Sequence, residues 1–134
     1  TTDFVIMAES DCLYPESYFD FEPTDKNAVY SYDNVWIMTK DFRRKDQTHG
    51  SMIYGREWLI KFLKDILKDL PEWTTEKIRF PFYSENQEFT LFDGDPIINT
   101  ITGANGRIGT KTIDEPKDTL PYWGNVEDLK RRVL

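Results

Sequence analysis

At 134 residues the chain suits one domain, and four Trp, seven Tyr and nine Phe supply enough apolar matter to bury a real core despite 31% charged residues. Twenty-four acids against seventeen basic residues leave a net charge of −7, a surface that repels phosphate backbones and disfavours general nucleic-acid binding. No apolar run approaches the roughly 18–20 residues that span a bilayer, and no basic stretch followed by an apolar one marks an export signal, so the expectation is a soluble, cytoplasmic protein without a membrane segment.

The chain begins almost directly on Phe4-Val5-Ile6-Met7-Ala8, an apolar run that stops abruptly at Glu9. Such a run predicts a buried strand leading into a site. An opening of this kind is expected of a piece cut from a larger domain. Successive side chains of a strand point to opposite faces, so Glu9 and Asp11 should present two carboxylates together, with Ser10 turned away. Two carboxylates suit a hard divalent cation, Mg²⁺ or Mn²⁺, which fills its remaining positions with water and substrate phosphate. Acid-x-acid triplets recur at Asp20-Phe21-Glu22 and Asp93-Gly94-Asp95, so position after a strand is what distinguishes the first. Cys12, the lone cysteine, excludes an internal disulfide and, by count, a cysteine-based zinc site.

Pro15 opens a short turn or helix through Phe19. Residues 28–32 and 34–39 are rich in Val, Ile, Trp and Tyr and predict two strands, or one bent strand, interrupted at Asp33-Asn34. Residues 41–50 carry no period and predict a loop. Its cluster Arg43-Arg44-Lys45 reads as solvated, though in an acidic protein it could steer a diphosphate. His49 in the same loop reads as a solvated histidine. Trp58, Leu59, Phe62, Leu63, Ile66, Leu67 and Leu70 then recur at helical spacing, a core-packing helix that Pro71 stops. Short β segments follow between Ile78 and Phe92, and again over 97–101. Asp93 and Asp95 could accept a proton from an acceptor hydroxyl, or simply form the turn around Gly94 and before Pro96. The glycine-punctuated loop 103–109 holds Asn105 and Arg107, which could bind phosphate through backbone N–H groups and a guanidinium. A Pro-Tyr-Trp-Gly turn at 121–124 and a last helix from Glu127 close the chain. Of Trp58, Trp73 and Trp123, Trp123 is the best placed for exposure and for stacking on a sugar ring. The elements together predict an α/β domain, a mixed sheet with one long packed helix, occupying 1–134.

Residues 4–15, from Phe4 through Glu9-Ser10-Asp11-Cys12 to Leu13-Tyr14-Pro15, resemble the strand and DXD-type motif of a family 2-like glycosyltransferase with the GT-A fold. Residues 51–59 resemble the segment that enters an acceptor-side helix in such enzymes. The resemblance implies the C-terminal, metal- and acceptor-side half of a GT-A domain, transferring a sugar from a nucleotide-sugar donor to a sugar or other hydroxyl acceptor. It implies that Asp11 contacts the metal bridging the donor diphosphate, and that Glu9 contacts metal or donor. Asn105, Arg107 and Trp123 fall where such chains carry polar and aromatic substrate loops. Two departures stand out: the triplet begins with Glu where Asp is usual, and the sequence starts at the motif's own strand, so that the nucleotide-binding half that precedes the motif in the family is expected outside it. A non-catalytic module that binds carbohydrate or protein through its aromatics is the alternative from a different class.

Overall fold

The computed structural model describes residues 2–45, 51–68, 88–100 and 112–133. Within them the chain is mixed α/β. Ten short strands run in order: β1 Phe4–Ile6, β2 Cys12–Leu13, β3 Val29–Tyr32, β4 Val35–Met38, β5 Phe42–Arg44, β6 Met52–Gly55, β7 Thr90–Phe92, β8 Ile97–Thr100, β9 Thr119–Leu120 and β10 Gly124–Asn125. Three helices join them, α1 Glu16–Phe19, α2 Arg56–Leu67 and α3 Val126–Val133.

The strands form two four-stranded sheets and a small hairpin. The first sheet has the order β1-β6-β3-β7 and the second β2-β8-β4-β5, while β9 pairs with β10. Two chain segments pass from one sheet into the other side by side. β3 continues into β4 through Asp33-Asn34, and β7 continues into β8 through residues 93–96. They run parallel in both sheets, Tyr30 opposite Thr90 in the first and Val35 opposite Ile97 in the second. The bends are stitched together. Asp33 N–H donates to Phe92 O (3.0 Å), Ile97 N–H to Asn34 O (2.9 Å), and Asn34 Nδ2 to Gly94 O (2.8 Å). Tyr32 adds its hydroxyl to Asp95 O at 2.6 Å, and burial pushes that phenol up to about 12.

Every residue of β3, β4 and β6 is buried, as expected for strands covered on both faces. Tyr18, Tyr30, Tyr32, Val35, Ile53, Phe92 and Ile97 pack at the centre, and Tyr18 is wholly buried. On the opposite face of the first sheet, Val29, Met52 and Tyr54 meet Trp58 and Leu59 of α2. Against the second sheet, Val126 and Leu129 of α3 pack with Trp36, Phe42, Ile98 and Leu120. Asn125 caps α3 by accepting the Glu127 N–H (2.9 Å). Glu127 and Asp128 lie in its first turn and basic residues in its last, matching the helix dipole.

Several expectations are corrected here. The run 4–8 is not a buried central strand: β1 spans only Phe4–Ile6 and lies at the edge of its sheet, with Val5 41% and Ile6 42% exposed. Hydrophobic sequence marks a strand with apolar neighbours but does not say on how many sides strands pair with it. Residues 42–44 are strand, not loop. Phe42, wholly buried, anchors β5 on β4, and Arg43 and Arg44 are held by acids. The stripe of α2 packs on the core as expected, Trp58 and Leu59 against Val29, Met52 and Tyr54, though none of its residues is fully buried. The stripe is half-covered, Trp58 stacking between Tyr54 and Phe62 with centroids 5.7 and 4.7 Å away.

Candidate functional site

The acidic triplet sits on a turn. Cys12 N–H donates to Glu9 O at 3.2 Å, closing residues 9–12, and β2 starts at once on the far side. Glu9 and Asp11 are thus brought together by a reversal of the chain, and not by strand alternation as the sequence suggested. Two neighbours hold the turn. The Tyr14 hydroxyl accepts the Glu9 N–H (2.8 Å). Thr100, at the end of β8, gives both its N–H (2.7 Å) and its hydroxyl (3.0 Å) to Asp11 O. Behind the turn, Tyr18 OH donates to Met7 O (2.7 Å) and to Met52 O (3.2 Å), fixing the end of the β1 segment to β6.

One carboxylate oxygen each from Glu9 and Asp11, and the thiol of Cys12, lie within 4.8 Å of one another. Cys12 joins the pair because β2 registers it opposite Asn99, whose Nδ2 donates to Sγ at 3.2 Å. The thiol in turn points toward Asp11 Oδ1 at 3.7 Å. Burial above all, and then the negative charges of Asp11 and Glu9, push the thiol above its ordinary range, against the Asn99 hydrogen bond. The group is therefore two acidic side chains beside a thiol held in its neutral form. Its charge suits a divalent cation. Hard ions would take the two oxygens and leave the thiol protonated, whereas a softer ion would draw in the thiolate. The count of cysteines had set Cys12 aside; its adjacency to Asp11 was the signal that could have kept it in view.

The other candidates fall elsewhere. Asp93 accepts the Gly94 N–H through Oδ1 (2.8 Å), and Asp95 gives its N–H to Ser17 Oγ (3.2 Å). Both do the work of turn formers. Neither acid belongs to the group formed by Glu9, Asp11 and Cys12. Trp123 is half-buried against the second sheet's core, its Nε1 bonded to Pro96 O, because the turn folds its ring inward. Tyr122 is the exposed ring of that turn, 54% exposed and at φ 68°. Arg43 is engaged by Asp41 (2.8 Å), and Arg44 by Asp33 (3.0 Å) and Asp114 (3.5 Å), which leaves little cationic charge for a diphosphate. His49, Trp73, Asn105 and Arg107 lie outside the described residues.

No protein-family model, curated protein or solved structure matches the chain.

Proposed function

We propose that Glu9 and Asp11 bind Mn²⁺ or Mg²⁺, and that this domain is the metal- and acceptor-side part of a nucleotide-sugar-dependent glycosyltransferase. The observation that supports it best is the convergence of two carboxylates on a turn pinned from both sides by Tyr14 and Thr100. A divalent ion held there would supply positive charge to a departing diphosphate. The chain's own part is positional. Asp11 and Glu9 offer oxygens, while Tyr14 and Thr100 fix the backbone that carries them, so little ordering is left for the moment of binding. An acceptor sugar would find an aromatic face on Tyr122, in the role first given to Trp123. Asp93 gives Oδ1 to the turn and Asp95 is held there through its backbone; both keep the role of acceptor-side acids in this reading.

The test is calorimetric. Mn²⁺ titrated with UDP or GDP present should bind far more tightly than without, because two carboxylates alone hold such ions weakly. Equal affinity in the two titrations would remove the transferase reading. Tight binding of Zn²⁺ with release of a proton would instead mark a thiolate site built on Cys12. The rival reading, a carbohydrate- or protein-binding module, draws on the exposed Tyr122 ring, and it takes the lead if no nucleotide enhances metal binding.

A further inference from the structure

Among the described residues nothing pairs with the outer edge of β1. Arg56 N–H donates to Asp3 O and Met7 N–H to Met52 O, both at 2.9 Å, and Val5 stands opposite Tyr54. In an antiparallel pair the residues that exchange hydrogen bonds alternate. Asp3, Val5 and Met7 therefore turn their amides and carbonyls toward β6, while Phe4 and Ile6 turn theirs away from it. Among the described residues no strand lies on that side. Both faces of the strand also stop short there. Val5 shares the α2 face with Tyr54, Ile6 shares the central face with Ile53, and each is about two-fifths exposed. Proteins usually protect such an edge with a charge, a proline or a bulge, and residues 4–6 have none of these. Asp3 at the flank is already paired with Lys26 at 2.8 Å.

We infer that the edge of β1 is a docking site for an extended segment of another polypeptide, apolar on both faces and carrying a basic residue. The two outward amides and carbonyls specify a strand over a helix or a flat apolar surface. Exposed side chains on both faces call for a segment that is apolar at successive positions, and an added strand would also extend the sheet beneath the half-covered stripe of α2. Charge decides between partners. A second copy, paired antiparallel about Val5, would set Met7 opposite Asp3 and bring each acidic turn toward the other chain's acidic start. Two chains of −7 apiece would resist that arrangement. A partner strand carrying Lys or Arg complements a chain of net charge −7 instead.

A synthetic probe, Lys-Thr-Val-Ile-Val-Thr-Lys, tests this against the intact ¹⁵N-labelled chain. We expect saturable binding that slows exchange of the Phe4 and Ile6 amides at least tenfold and weakens at high salt. Ile6→Lys, which charges the edge without touching the β6 bonds, should reduce affinity tenfold or more. A probe with Pro at its centre should not bind. The inference is overturned if the Pro probe binds equally well, if the slowed amides lie elsewhere, or if Phe4 and Ile6 are already fully protected in the chain alone. Concentration-dependent dimers that protect the same two amides would assign the edge to a second copy and overturn the choice of partner.

Discussion

Asp11 works with two different groups. Its carbonyl oxygen takes both donors of Thr100, while its carboxylate belongs to the acidic group with Glu9 and Cys12. The two roles separate by mutation. Asp11→Asn keeps the backbone contacts and removes the charge, so circular dichroism and melting temperature should barely change while Mn²⁺ binding collapses. On the transferase reading proposed above, kcat should fall roughly a hundredfold or more, since an ion's effect on a leaving diphosphate is worth several kcal/mol. Thr100→Val does the opposite. It removes one hydrogen bond to the turn, for about 0.5–1.5 kcal/mol of stability measured by urea unfolding, and leaves every charge in place. Cys12 offers a readout in pH. Burial and two acids raise its thiol in the folded chain, so the folded state favours the protonated form. That stabilisation is whole below the free thiol's range, about 8.5, and fades as pH rises through the folded value. Iodoacetamide should label the native chain far more slowly than the unfolded one at pH 8, and the gap should close as the native thiol ionises.

At the scale of elements, close approach explains a residue that pattern alone does not. Gly55 joins β6 to α2, and a Cβ placed there would lie 2.1 Å from the carbonyl oxygen of Lys26. Because the obstacle is backbone, Gly55→Ala should cost at least about 1–3 kcal/mol, seen as a lowered melting temperature with α2 displaced. Tyr122 is the reverse case. A left-handed φ of 68° costs a side-chain-bearing residue about 1–2 kcal/mol, part of which Tyr122→Gly would give back to unfolded-chain entropy. A net gain near 1 kcal/mol is expected by thermal denaturation. Where a residue pattern carried its own period or punctuation, the sequence was readable. The bent strand about Asp33-Asn34, the strand over 97–100, the Pro-Tyr-Trp-Gly turn and the last helix all appear. The misses share a cause. β2, β5 and β10 are two or three residues long, too short to show alternation. β1 looked buried because an edge strand and a buried one can carry the same apolar letters. Of the site, the acid pair was legible from its spacing, but its geometry was not. The turn depends on Thr100, almost ninety positions away, and on a register that places Asn99 beside Cys12.

At the scale of the whole molecule, acidity is set against paired charges. Arg43 holds the Asp41 carboxyl below its usual range, chiefly through their hydrogen bond, and Lys130 does the same for Glu127. Groups lowered in the folded state stabilise it above their unfolded values, about 4, and that contribution disappears as pH falls through the folded ones. Acid unfolding should therefore begin below pH 4 and begin earlier in Arg43→Ala, as followed by tryptophan fluorescence. The stitched bends have a consequence in time. Tyr30 pairs with Thr90 and Val35 with Ile97, partners roughly 60 positions apart, so neither sheet can be completed until a long loop has closed. Parallel pairing at that separation is slow to nucleate, since the entropy of closure is lost before the contacts form. On a ribosome β3 and β4 would emerge before β7 and β8, each lacking one neighbour. Assembly would wait for a single later stretch of chain, residues 90–100, to zip along both sheets at once.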